Sequence, residues 1–167
     1  MLLKPHIKFK GITDITPEVL NKLGIKALLL DVDNTMSTHH GTVLTDGLLE
    51  WIDKMKKSGI ELLVLSNSKE ARVKPFAEGI GLNFISLGLK PLPFGYLRGK
   101  KRLGVKRKEL AIVGDQIFTD ILGGRLVGIK TILLTPIKLE DGWSFKVRRY
   151  LEKGIYKIHK IEDYKEN

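Results

Sequence analysis

A chain of 167 residues, 43% of them hydrophobic, has room for one compact domain that buries roughly 70% of its unfolded surface, and for no second domain. It holds no cysteine, which excludes disulfides, thiol nucleophiles and thiolate zinc sites together. Its 29 Lys and Arg against 19 Asp and Glu give a net charge of +10, a field that favours anionic partners such as nucleic acid, phospholipid or phosphorylated metabolites but says nothing of fold.

The opening "MLLKPHIKFK" is broken by Lys4, Pro5 and His6 before an apolar segment of signal length accumulates, and no stretch nears the ~18 apolar residues of a membrane span. A cytoplasmic protein is the expectation. "IKALLLDVD" (25–33), "IELLVLS" (60–66), "LNFISLG" (82–88), "LAIVGD" (110–115) and "IKTILLT" (129–135) read as five strands. Between the first two, "LTDGLLEWIDKMKKSG" places Leu44, Leu48, Leu49, Ile52 and Met55 at helical spacing, with Thr45 or Asp46 to cap it and Gly59 to stop it. "SKEARVKPFAEGIG" and "FTDILGGRLVG" read as shorter helices ending at glycine. Alternation of this kind implies an α/β fold, a parallel five-stranded sheet with helices on both faces.

Ligands of an open α/β sheet bind beyond the carboxyl ends of its strands. Asp31 and Asp33 close the first strand, Ser66 and Asn67 the second and Asp115 the fourth, while Lys90 follows the third within a few residues. Three carboxylates, a hydroxyl and an ammonium are thereby directed to one crevice, the set that phosphoryl transfer through a covalent carboxylate requires. One aspartate attacks phosphorus. A second, two residues on and on the same side of the strand, protonates the leaving oxygen and then activates water. A divalent oxygen-seeking cation, Mg2+ first, would bridge Asp31, Asp115 and the phosphate and remove the repulsion between them. Lys90 would neutralise phosphate oxygens, and the Ser66 hydroxyl with the amides around Asn67 and Ser68 would hydrogen-bond them at a helix start.

In order and context, "DVDNT", "SNS", the lysine of "LKP" and "GDQIFTD" resemble the four motifs of the haloacid dehalogenase (HAD) superfamily. The fuller wording, "LLLDVDNT" with "VGDQIFTDILGGRLVGIKTILL", resembles its bacterial subclass IIIA phosphatases of YqeG type, over about residues 25–137. The resemblance implies a Rossmann-like HAD core with Asp31 as nucleophile and Asp33 as acid/base, and with Mg2+ bound by Asp31, the backbone carbonyl of Asp33 and Asp115. It also implies that Ser66 and Lys90 hold phosphate, that Thr35 braces the loop after the first strand and that Asp120 orients Lys90. Met36 stands where the family often has leucine.

Rival readings are weighed residue by residue. A calcium loop opening at Asp31 would need glycine where Met36 stands and glutamate where Thr42 stands. Asp120 alone reads as a first-turn helix charge, Ser66 also suits a turn, and Lys90 before Pro91 also suits a solvated loop. His39 and His40 read as solvated rather than as metal ligands, and Trp51 reads as core. One helix uses most of the interval between the first two motifs, and the next interval is shorter, so neither holds a cap domain. An open site is expected, suited to a large substrate such as a lipid head group, a macromolecule end or a phosphoprotein. The cysteine zinc loop of related sugar and histidinol phosphatases cannot be built here.

Two basic regions could recruit such a substrate. "RGKKRLGVKRK" (98–108) carries seven basic residues in eleven. "WSFKVRRYLEKGIYKIHK" (143–160) sets Val147, Leu151, Ile155 and Ile158 at helical spacing among Lys146, Arg148, Arg149, Lys153 and Lys157, with Gly154 weakening the helix. That pattern suits a helix on an anionic bilayer, with Lys100, Lys101, Arg102, Arg148 and Arg149 as its contacts. It suits a terminal helix packed on the sheet slightly better.

The sequence thus reads as one HAD-like phosphatase domain over 1–167, with a core at about 25–137 and a C-terminal helical extension at about 143–165. It would hydrolyse phosphomonoesters through an aspartyl-phosphate with Mg2+. Resemblance to capless enzymes of phosphatidylglycerol synthesis points to phosphatidylglycerophosphate and to a peripheral place at the inner membrane surface. The alternative is a basic nucleic-acid or ribosome-associated binding protein with residual or no phosphatase activity, although a pure binder has no need of two repelling carboxylates. The oligomeric state and physiological substrate are left open.

Overall fold

The computed structural model describes residues 1–38, 43–137 and 143–165, without the side chain of Phe145; His39, His40 and Thr42 lie outside the described residues. Strands β1 (Ile7–Phe9), β2 (Ala27–Leu30), β3 (Glu61–Leu65), β4 (Asn83–Ile85), β5 (Leu110–Gly114) and β6 (Lys130–Leu134) form one sheet in the order β1-β6-β5-β2-β3-β4, every pair parallel. β2 is central because it is apolar on both sides. Leu28 and Leu30 join one core, Ala27 and Leu29 the other. Each fully buried leucine contributes about 1.5–3 kcal/mol.

The five expected strands are present, but each is shorter than its apolar run, because the polar residues that follow leave the ladder. The sheet has six strands rather than five. The addition, β1, is only three residues long and is interrupted by Lys8, so no apolar run announces it. It pairs with β6 from Ile7↔Ile132 to Phe9↔Leu134. On its outer side Tyr164 N donates to Lys8 O at 2.7 Å and Lys8 pairs with Asp163.

Helices α1 (Pro17–Lys22), α2 (Leu48–Lys57), α3 (Glu70–Gly79), α4 (Pro93–Leu103), α5 (Leu122–Val127) and α6 (Trp143–His159) connect and flank the strands. α1 starts at a Thr16 cap whose Oγ1 accepts from Val19 N at 3.3 Å. α2 buries Leu48, Trp51, Ile52 and Met55, and the Trp51 indole donates to Ile15 O at 2.8 Å, which places Trp51 in the core as expected. Leu44 precedes this helix and Leu49 faces outward, so neither joins the core. The helix begins after Gly47 without a side-chain cap from Thr45 or Asp46.

α4 occupies part of the segment read from sequence only as basic. Gly95 lets it approach the loop after β4: a Cβ there would lie 2.4 Å from Gly88 O. Among the described residues α2 and α3 supply the helices of the first two crossovers, with no further domain over the strand ends, and no helix is long and apolar enough to cross a membrane.

Candidate active site

The carboxyl ends of β2, β3 and β5 turn their following residues toward one another. Asp31 N still donates to Val113 O at 3.0 Å, which fixes the carboxylate beside β5. The chain then folds back on Val32 O, which accepts from Met36 N at 3.0 Å, with Asn34 in the left-handed region at φ 57°. This backbone turn braces the loop; Thr35 lies buried within it, and its hydroxyl has no protein partner among the described residues.

After β3, Ser66 Oγ accepts from Ser68 N at 3.1 Å and Ser66 O from Gly88 N at 2.8 Å. Asn67 grips the next loop with both ends of its amide. Its Oδ1 accepts from Lys90 N at 2.7 Å and its Nδ2 donates to Lys90 O at 3.0 Å. The Asn67 side chain therefore holds Lys90. Leu87 and Leu89 sit in the same loop with φ of 46° and 55°, a conformation costly for leucine.

Lys90 is buried, and its Nζ donates to Asp31 Oδ1 at 2.6 Å and Asp120 Oδ1 at 2.7 Å. Asp120 reaches that position from a π-turn, Ile117–Ile121, and its Oδ2 accepts from Gln116 N at 3.2 Å. It lies so close to the end of β5 that a Cβ on Gly114 would be 2.2 Å from Asp120 Oδ2. The contact with Lys90 is the one the resemblance implied for Asp120.

Asp31, Asp115 and Asp120 each offer a carboxylate oxygen within 4.8 Å of the other two. Burial pushes the Asp31 carboxyl up to about 7 against the pull of Lys90, and Asp120 and Asp33 add to the rise. Burial, then Asp31 and Asp120, hold Asp115 well above the usual carboxylate range. Lys90 is pulled down by burial but held above its ordinary value overall by Asp120 and Asp31. Asp115 Oδ1 is buried with no hydrogen-bond partner among the described residues. Crowded oxygens, repulsion and an orphaned acceptor fit a divalent oxygen-seeking cation. The Asp33 side chain stands apart from this cluster. It pairs with Arg72, which also donates to Ser68 Oγ at 2.6 Å.

The site is less open than the missing cap domain implied, because α6 lies against it. Arg149 Nη2 reaches Asp115 Oδ2 at 2.5 Å, and its Nη1 donates to Asp115 O at 3.1 Å and Glu152 Oε2 at 2.8 Å. Glu152, fully buried, accepts from Ile117 N at 3.0 Å. Arg148 donates to Gln116 Oε1 at 2.7 Å. Sequence reasoning missed Arg72 and Glu152 and gave Arg149 to the bilayer rather than to Asp115; the lone acid on the basic stripe of α6 was the available signal.

α6 is packed, as the slightly preferred reading had it, but through an unexpected face. Ile155 and Tyr156 turn inward onto Ile117, Ile121 and Leu133, while Trp143 (83% exposed), Tyr150 (77%), Leu151 (52%) and Ile158 (75%) face outward. A second exposed apolar group, Leu87, Leu89, Leu92, Phe94 and Leu97, borders the Lys90 loop. Expected bilayer contacts are engaged within the protein: Arg149 is half-buried against Asp115, and Arg102 donates to Phe84 O at 2.9 Å. Arg98, from the same basic segment, donates to Leu87 O at 3.0 Å.

Comparison with known proteins gives a consistent result. The chain is 36% identical over 146 residues to "Probable phosphatase YqeG" of Bacillus subtilis, spanning 87% of this chain and 85% of that one. It is 28% identical over 163 residues to phosphatidylglycerophosphate phosphatase 1, chloroplastic/mitochondrial, of Arabidopsis thaliana, spanning 92% of this chain but 47% of the plant protein, about half its length. An uncharacterized protein from Listeria monocytogenes serotype 4b shares the fold, with TM-score 0.58 and 20% identity over 71% of this chain and 85% of that one. The family model "haloacid dehalogenase-like hydrolase" matches residues 8–128, from β1 through α5 and across every strand end that carries a carboxylate, and the chain belongs to that family.

Proposed function

We propose that this hydrolase is a phosphatase that cleaves phosphomonoesters through an aspartyl-phosphate on Asp31. The observation that carries the reading is a buried carboxylate, Asp31, 2.6 Å from the buried ammonium of Lys90, with a second carboxylate two residues along the chain. Asp31 attacks phosphorus while the ester P–O bond breaks, and Asp33 gives its proton to the leaving oxygen. Asp33, now a carboxylate, takes a proton from water; the oxygen attacks phosphorus, the bond to Asp31 breaks, and inorganic phosphate leaves. Lys90, the Ser66 hydroxyl and the amides around Asn67 hold the phosphoryl oxygens, and Asp120 keeps Lys90 aimed at them. Asp31, Asp115 and the Asp33 carbonyl would hold Mg2+. When bound, the cation shields the carboxylates from one another and draws charge from the phosphoryl oxygens.

For the substrate we favour a phospholipid monoester at a membrane surface, phosphatidylglycerophosphate first. Support comes from the similarity to the plant phosphatidylglycerophosphate phosphatase, and from the outward apolar residues of α6 and the Lys90 loop beside exposed Lys101, Lys146, Lys153 and Lys157. Each lysine close to an anionic surface is worth about 1 kcal/mol. The test is vesicle sedimentation together with hydrolysis of phosphatidylglycerophosphate in those vesicles. Binding should rise with anionic lipid, fall with salt and weaken when Trp143 and Leu151 are both changed to Ser. A protein that ignores anionic vesicles at low salt yet retains RNA would replace the lipid reading with nucleic-acid binding.

A further inference from the structure

We infer that Arg72 forms a second anion subsite, which recognises a phosphodiester or carboxylate carried by the leaving group of the substrate. Beside Asp33 lies a cavity of about 320 Å³ whose polar wall is Ser66, Ser68 and Arg72 and whose apolar wall includes Val32, Pro75 and Phe76. Arg72 contacts Asp33 Oδ1 through one nitrogen and Ser68 Oγ through another. Those contacts use two of the five N–H donors of a guanidinium, and the side chain remains 36% exposed.

The inference rests on the phosphatase reading. If Asp33 protonates the leaving oxygen, that oxygen lies within hydrogen-bond reach of Asp33. Atoms a few bonds further along the leaving group then enter the cavity next to Arg72. An anionic group there meets a planar donor fork suited to paired oxygens, while the apolar wall accepts the carbon bridge between the two anions. A neutral leaving group has nothing for this fork. The subsite is distinct from the phosphoryl-holding groups Lys90 and Ser66 and sets which monoesters are preferred.

The test compares wild type with Arg72→Gln and Arg72→Lys on two soluble monoesters: glycerol phosphate, whose leaving group is neutral, and the 3-phosphate of glycerophosphoglycerol, whose leaving group carries a phosphodiester. Arg72→Gln should lower the ratio of kcat/KM for the diester-bearing substrate to that for glycerol phosphate by roughly 10- to 100-fold, the worth of a hydrogen bond to a charged group, with partial recovery in Arg72→Lys. An equal loss on both substrates would overturn the inference and leave Arg72 as a positioning residue for Asp33. If wild type hydrolyses neither, the phosphatase reading has failed, and titration of the folded proteins with glycerophosphoglycerol, followed by NMR, decides the subsite. Binding in wild type that Arg72→Gln removes supports it; equal binding, or none, overturns it.

Discussion

Arg149 on α6, half-buried, and Asp115 after β5, fully buried, lie 34 positions apart and form a pair in which the guanidinium bonds both the Asp115 carboxylate and its backbone carbonyl. The other carboxylate oxygen, Oδ1, has no partner among the described residues. If Asp115 helps hold the proposed cation, arginine and cation would both neutralise one carboxylate, so loss of the arginine should increase dependence on the cation. Leaving a buried carboxylate such as Asp115 without its partner costs up to about 3–5 kcal/mol. Arg149→Met should lower the melting temperature of metal-free protein markedly, and saturating Mg2+ should restore more stability to the variant than it adds to wild type. Thermal melts with and without Mg2+ check this; equal Mg2+ shifts in both proteins would contradict it.

Asp31→Asn should abolish Mg2+-dependent hydrolysis of 4-nitrophenyl phosphate while the circular dichroism spectrum stays native. Asp33→Asn should lower kcat by roughly 10²–10⁴-fold, the usual worth of a general acid/base. Near-normal turnover by folded Asp31→Asn protein would remove Asp31 as nucleophile.

The pH dependence follows from the Asp31 carboxyl, which burial pushes up to about 7. Folding favours its neutral form, so in metal-free protein its stabilising contribution is present below the ordinary carboxylate pKa and is lost as pH rises through about 7. A cation needs the ionised form and must displace the proton below that pH. The rise in melting temperature caused by a fixed Mg2+ concentration should be small at pH 6 and larger at pH 8. Asp31→Asn should flatten the trend, measured by differential scanning fluorimetry across that range.

Gly114→Ala introduces a Cβ 2.2 Å from Asp120 Oδ2, and Asp120 is buried with its other oxygen on Lys90. Overpacking of this kind costs about 1–3 kcal/mol. Because the displaced group holds Lys90, the KM for 4-nitrophenyl phosphate should also rise, which an equally destabilising change far from the site would not produce. Ile60→Val, buried at the amino end of β3 and away from the strand ends that carry the site, serves as that comparison.

The strand-end residues were legible because each follows a long apolar run, and parallel strands leave their C-terminal neighbours at one edge. Asp31, Ser66, Lys90 and Asp115 could therefore be placed before any coordinate was known. β1 was not legible: three residues flanked by charge carry too little periodicity to compete with the basic composition around them. α4 was hidden by Gly95 and Gly99, poor helix formers that serve close packing. The orientation of α6 was beyond periodicity altogether. Its apolar stripe, Val147, Leu151, Ile155 and Ile158, predicts one buried face; only Ile155 of the four packs inward, and Arg149 and Glu152 face the sheet because their partners, Asp115 and Ile117, are brought there by β5.

The arginines that α4 sends to β4 have a consequence for how copies of the chain meet. β4 is the last strand of the sheet, and Arg102 and Arg98 donate to Phe84 O and Leu87 O within it and just after it. At the opposite border, Tyr164 N takes Lys8 O of β1. An open strand border is a template for pairing with a neighbouring chain, and bulky charge laid along it discourages that templating. Both borders of this sheet are thus blunted, so cross-β growth has no ready starting strand even though the protein displays leucines and a tryptophan to solvent. The positive charge of Arg98 and Arg102 is thus turned onto the border of the protein's own sheet, where it works against edge-to-edge pairing.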